Sequence, residues 1–223
     1  MKTVAVLHTT PVTITGLAAQ FAAELPGVKQ TNFLDDTMLP EINAAGGVTP
    51  AVRYRFYQLL SAAAASHPDA ILCACSSVGG LLEEGAGIVT VPVRRIDEPM
   101  AEEAVRRGSR IAVSATLAST LGPTMELIER KAAAAGKKIA LTPFLVEGAG
   151  QLLAEGRMEE YEQLIASQLS RALAENDLVV LAQASMANAA RRLEGWEKLP
   201  ILTSPQSGVA ALRKVLGLEG KTA

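Results

Sequence analysis

The sequence predicts an α/β protein of two similar halves, each a parallel sheet covered by helices. Two observations predict this. Apolar strand-like runs alternate with long helical patterns, and several runs are unbroken, as in strands buried on both faces. The chain also repeats itself. Val4-Ala5-Val6-Leu7-His8-Thr9 reads against Ile111-Ala112-Val113-Ser114-Ala115-Thr116 at an offset of 107, and Asp69 to Ser77 reads against Asp177 to Ser185 at an offset of 108. Val91-Pro92-Val93 reads against Leu199-Pro200-Ile201 at the same 108. Within this register Cys75 is matched by Gln183.

From the N-terminus, the run Thr3 to Leu7 is the first strand. Thr49-Pro50 supplies a cap and a first-turn proline for a helix over Ala51 to Ser66, whose Arg53 and Arg55 belong to a solvated face. Ala70 to Ala74 is an unbroken apolar strand, and Ile88 to Val93 another, with Arg94-Arg95 as its solvated end. Ile111 to Val113 and Ile139 to Thr142 are strands on either side of a helix over Thr124 to Ala135. Gly148-Ala149-Gly150 lacks both a phosphate-loop lysine and GxGxxG spacing, so it is a loop before a helix, not a nucleotide site. After a helix-breaking turn at Glu155 to Glu159, the segment Met158 to Asn176 carries Tyr161, Leu164, Ile165, Leu169, Ala172 and Leu173 on one helical stripe. Leu178 to Leu181 and Ile201 to Leu202 complete the strands.

Composition bounds the function. The chain has 223 residues, 49% of them hydrophobic, and a net charge of −2, which fits a packed protein and gives no basic surface for nucleic acid or membrane. No apolar run reaches the ~18 residues of a membrane span, and the N-terminus leads directly into a strand without a cleavable signal pattern, so a cytoplasmic protein is expected. Cys73 and Cys75, one residue apart, cannot form a disulfide framework. With His8 and His67 the only histidines, no metal site is expected.

In open parallel sheets ligands sit beyond the carboxyl ends of strands. There the sequence places His8 and Thr9, then Cys75, Ser76 and Ser77, then Thr116 and Thr120, and Gln183 with Ser185. Cys75, followed by Ser-Ser-x-Gly-Gly, sits where a helix opens, and the partial positive charge of exposed N–H groups there favours a thiolate. Cys73, deeper in its apolar run, reads as packing. The hydroxyls of Thr9, Ser76, Ser77, Thr116, Thr120 and Ser185, with the Gln183 amide, suit a small carboxylate, and capping is a compatible role for them. Asp97 and Glu98 read as helix-capping acids ahead of Pro99.

Ala74-Cys75-Ser76-Ser77, Leu181-Ala182-Gln183-Ala184-Ser185-Met186 and Ile111 to Thr120 (IAVSATLAST) resemble motifs of the aspartate/glutamate/hydantoin racemase superfamily, whose relatives include maleate isomerase and arylmalonate decarboxylase. The first is similar to that superfamily's first-cysteine motif and the second to its second-cysteine motif, with Gln183 at the cysteine position. The third is similar to the Thr-bearing loop that holds a substrate carboxylate. The resemblance implies two flavodoxin-like halves, residues 1–97 with 208–223 and residues 98–207, an active cleft between them, and a homo-oligomer. It implies a cofactor-independent isomerase or racemase-like enzyme acting on an amino acid or dicarboxylate. Two-base racemisation needs an acid/base group on each face of the carbon, and an amide cannot serve as one. A lone Cys75 leaves three uses: addition to a double bond, one-face proton transfer as in a decarboxylase or lyase, or pairing with His8 as second base. A protein that only binds small carboxylates is the alternative outside catalysis.

Overall fold

A computed structural model describes residues 1–219. It contains two compact units, Met1–Glu98 together with the segment from Pro205, and Pro99–Ser204. In the first, β1 (Thr3–His8), α1 (Val12–Glu24), β2 (Lys29–Leu34), α2 (Met38–Ala45), α3 (Pro50–Ala65), β3 (Ala70–Cys73), α4 (Gly79–Glu84) and β4 (Val93–Arg95) follow one another. The strands form a parallel sheet of order β2-β1-β3-β4. In the second unit, α5 (Glu98–Arg107), β5 (Arg110–Ala115), α6 (Ala118–Ala134), β6 (Ala140–Leu145), α7 (Ala149–Ala154), α8 (Met158–Glu175), β7 (Leu178–Leu181), α9 (Ala187–Ala190) and β8 (Ile201–Thr203) build a parallel sheet of order β6-β5-β7-β8. The final helices are α10 (Ser204–Ala210) and α11 (Leu212–Val215).

Side-chain alternation divides each sheet into two cores. In the first unit Ala5, Leu7, Ile71 and Cys73 face α2 and α3 through Met38, Ile42, Val52, Phe56 and Leu60. Val4, Val6 and Leu72 face α1 and the C-terminal helices through Leu17, Phe21, Val209 and Leu212. Gly208 permits that return, since a Cβ there would fall 2.3 Å from the Ile96 carbonyl oxygen. The second unit is built alike. Ile111, Val113 and Val180 meet α5 and α6, while Ala112, Val179 and Leu181 meet α8 through Tyr161, Ile165 and Leu169.

The two sheets bear out the expected α/β architecture, and four local expectations need correction. Residues 29–34 form a strand unseen in the sequence, because at the sheet edge KQTNFL is half solvated and reads as polar. The run from Ile88 is not a strand; Gly85–Ile88 is a 3-10 turn and pairing begins at Val93. Helix α6 starts at Ala118 and carries Pro123 in its second turn rather than starting after it. Arg95 is not a solvated end but lies 3% exposed. Among the described residues no helix is long and apolar enough to cross a membrane.

Candidate active site

In the order β2-β1-β3, the winding reverses between β1 and β3, and the crevice at such a switch point is where open α/β sheets take ligands. The residues that leave those strands are His8, Thr9 and Cys75. Cys75 continues β3 in extended conformation and is followed by a 3-10 turn, Ser76–Val78, before α4. It shares the face of Cys73 and Leu7 and is half-buried. Burial pushes its thiol above the ordinary value, opposed by the Thr9 hydroxyl, the N–H groups of Ser77 and Val78, and the Ser77 hydroxyl. The donors expected at this turn are present, but burial outweighs them, so the neutral thiol rather than the thiolate is the resting form. Ser76 and Ser77 are themselves buried, and the Cys73 thiol donates to the Cys75 carbonyl at 3.5 Å. Burial also pushes up the Cys73 thiol and keeps it neutral.

Thr9 is 3% exposed, and its hydroxyl has no hydrogen-bond partner among the described residues. It stands off the thiol outside hydrogen-bond geometry, yet near enough to favour the anion. A buried hydroxyl left without a partner costs about 1–3 kcal/mol. Thr124 on α6 is another such group among the described residues, but it lies away from the strand ends.

His8 is separated from the thiol by the pleat. It falls in step with Val4 and Val6, on the α1 face, whereas Cys75 falls in step with Cys73 on the α3 face. Its Nδ1 is 2.7 Å from Thr13 Oγ1 and its Nε2 is 2.9 Å from Asn32 Oδ1. Burial lowers its pKa, so the ring is neutral near pH 7 with both nitrogens engaged.

Arg95 and Asp97 form a support that the sequence reading missed. Arg95 donates from Nε and Nη2 to the two carboxylate oxygens of Asp97 at 2.9 and 2.8 Å, and its Nη1 lies 3.4 Å from Glu83 on α4. Asp97 therefore pairs with Arg95 instead of serving as a simple cap. The guanidinium lies directly on Gly79, where a Cβ would be 2.5 Å from Arg95 Cζ. This pair ties the end of β4 to the first turn of α4, immediately after the Cys75 turn. Arg53 and Arg55 likewise pair with acids, Arg53 with Glu84 and Arg55 with Asp35 and Glu41, rather than standing free.

In the second unit the corresponding strand ends are Thr116 and Gln183. Gln183 is extended and precedes a 3-10 turn, Ala184–Met186, as Cys75 precedes its own. Its Oε1 accepts from Thr116 N at 2.6 Å and from Thr116 Oγ1 at 2.9 Å. Behind them the Tyr161 hydroxyl lies 2.9 Å from Ser185 Oγ, and the Ser185 and Thr116 hydroxyls both act on a phenol whose pKa burial raises. Thr120 is buried in the first turn of α6, its N–H donating to Leu117 O. Tyr161 read in the sequence as one apolar member of a helical stripe; no local signal marked its hydroxyl. Gly150 closes the site from α7, since a Cβ there would meet the Thr116 carbonyl oxygen at 3.0 Å.

The Asp/Glu/Hydantoin racemase family profile matches residues 8–212. The chain belongs to that family. Solved racemases share its fold at low identity. A glutamate racemase isoform from Bacillus anthracis is 16% identical with a TM-score of 0.72, over 98% of this chain and 83% of its own. An allantoin racemase from Klebsiella pneumoniae is 19% identical with a TM-score of 0.70, over 100% of this chain and 91% of its own. An aspartate racemase from Picrophilus torridus is 13% identical with a TM-score of 0.73, over 97% of this chain and 95% of its own. No curated protein sequence matches the chain. Among the described residues no three His, Cys, Asp or Glu side chains stand together as a metal site would require.

Proposed function

We propose that this member of the racemase family is a cofactor-independent isomerase-like enzyme acting on a small carboxylate, an amino acid or dicarboxylate, through Cys75 alone. The observation that carries the reading is the unequal pair of strand ends: a thiol beside an unpartnered Thr9 hydroxyl in one unit, and the Gln183 amide at the repeated position in the other. Gln183 neither takes nor gives a proton near neutral pH, so two-thiol racemisation is closed to this chain.

A neutral resting thiol sets how each use of Cys75 begins. It is ready to deliver a proton to one face of an enediolate, the step that ends a decarboxylation or a one-face exchange. Once the proton has gone, the Thr9 hydroxyl and the Ser77 and Val78 N–H groups hold the thiolate. Addition to a double bond, as in maleate isomerase, and removal of an α-proton both begin instead from the thiolate, which the same donors stabilise against burial. His8 would become a second base only after leaving Thr13 or Asn32 and crossing to the other face of the sheet.

Proton NMR in deuterated buffer tests this. Aspartate, glutamate, hydantoins, maleate and methyl-substituted malonates are each mixed with the protein and with Cys75→Ala. Loss of an α-proton signal, or a new product, only with the unchanged protein supports the reading. An unchanged panel, with one compound broadened equally by both proteins, replaces the enzyme with a carboxylate-binding protein.

A further inference from the structure

Gln183 is oriented in one sense only. Thr116 N–H can donate and never accept, so the side-chain oxygen must face it, and the Thr116 hydroxyl donates to that same oxygen. The amide plane then turns Nε2 away from Thr116. Nε2 donates to no described residue, while Gln183 is half-buried and reachable from solvent. Tyr161 and Ser185 back this arrangement from the α8 side, and Gly150 packs against the Thr116 carbonyl. The second unit thus spends its hydroxyls on fixing an amide and leaves two N–H donors at the β5/β7 switch point.

We propose that the Gln183 Nε2 amide is the carboxylate-recognition group of the second unit: it donates to an anionic oxygen of a small carboxylate and discriminates against an ammonium group at that position. Thr116 acts as a positioning residue, holding the amide in its donating sense instead of touching the ligand itself. An uncharged donor suits this role, because it meets an anion without a neutralising counter-charge and does not titrate. The inference rests on small carboxylates being the ligands and not on the role given to Cys75.

The test uses the full chain carrying Cys75→Ser, in which thiol chemistry cannot operate. Malonate, succinate, aspartate and glutamate are titrated while the side-chain amide pair of Gln183 is followed by 15N-correlated NMR, assigned by its disappearance in Gln183→Glu. The expected result is a downfield shift of that pair with at least one of the four, a smaller shift with malonamide and none with methylammonium. Gln183→Glu keeps an acceptor for Thr116 but replaces the donors by an anion, so affinity for the carboxylate falls by about 10- to 100-fold at unchanged melting temperature. Thr116→Val removes the hydroxyl donor to Oε1 and keeps the backbone N–H that sets the sense of the amide, so a smaller loss of affinity and only slight broadening of the Gln183 pair are expected. The proposal is overturned if none of the four shifts the pair at millimolar concentration, or if Gln183→Glu binds as tightly as its parent. The Cys75 reading falls on different ground, the absence of Cys75-dependent exchange or turnover, so the two failures are told apart.

Discussion

The two units share a backbone plan down to single hydrogen bonds and differ in what they do with its strand ends. Ala74 N donates to Leu7 O in one and Ala182 N to Ser114 O in the other; Asp69 N donates to Thr3 O and Asp177 N to Arg110 O. At the opposite edge of the sheets, Asp69 accepts from Thr3 N and pairs with Lys2, while Asp177 accepts from Arg110 N and pairs with Arg110. Helix α3 buries Val52, Phe56, Leu60 and Ala63, and α8 buries Tyr161, Ile165, Leu169 and Ala172 at the same spacing. At the carboxyl ends of the strands the likeness stops. The first unit leaves Thr9 without a partner beside a thiol; the second satisfies Thr116 twice over with an amide. On the proposed reading, the first end would serve as the reactive one and the second as a fixed donor, a division that one-thiol chemistry would need.

The largest effect expected from breaking this contrast is on turnover. Cys75→Ala should lower kcat by about 10²- to 10⁴-fold, the contribution of a positioned proton-transfer group, while Gln183→Ala should act mainly on KM. Steady-state kinetics on whichever substrate the exchange assay finds separates them. Equal losses of kcat in both variants would mean that the two strand ends are not divided into reactive and binding roles.

The buried ion pair beneath the Cys75 turn is the next asymmetry. At the repeated positions Arg95 is matched by Thr203, Asp97 by Pro205 and Gly79 by Ala187, so the glycine occurs where a guanidinium needs the space. Arg95→Met leaves Asp97, 1% exposed, charged and unpaired, and should cost about 3–5 kcal/mol of stability in urea denaturation. Replacing both partners, Arg95→Met with Asp97→Leu, should recover much of that loss, because no uncompensated charge remains. A single variant as stable as the parent would deny the pair any part in supporting the turn.

Much of this was legible in the sequence, for identifiable reasons. A strand buried on both faces is an unbroken apolar run, so β1, β3, β5 and β7, the four central strands, stood out, and their repeat gave the correspondence of Cys75 with Gln183. Edge strand β2 did not, because half its side chains meet water and nothing in KQTNFL alternates cleanly. Composition also misled at Arg94-Arg95, where two adjacent cations look alike; alternation turns Arg94 outward and Arg95 inward, and Asp97 makes burial tolerable. The resting state of the thiol was misread because the turn's donors show in the sequence, whereas the burial that outweighs them does not.

A smaller effect is expected at Tyr161, the counterpart of Val52. Tyr161→Phe keeps the packing of α8 but removes the hydroxyl from Ser185, and should cost about 1 kcal/mol, read from the urea midpoint. If Thr116 and Gln183 depend on that hydroxyl for their orientation, the Gln183 amide resonance will also shift in the free protein. A stability loss without that shift would confine Tyr161 to the core.

The smallest effect distinguishes the units by pH. His8 is matched by Ala115, so only the first unit carries a buried imidazole behind its strand ends. Burial lowers the His8 pKa from its ordinary 6.5, so the unfolded chain takes up the proton more readily than the folded one. The stability held by the neutral ring is therefore fully present above pH 6.5 and is lost as pH falls through the folded value. The upper end of that window, at the unfolded value, lies above the range where most carboxylates titrate. Hydrogen exchange between pH 7 and 5 should show protection of β1 and β3 falling more than that of β5 and β7. His8→Gln should remove the difference, since no proton is then taken up behind β1. An equal decline in both sheets, unaffected by that substitution, would assign the acid sensitivity to groups other than this histidine.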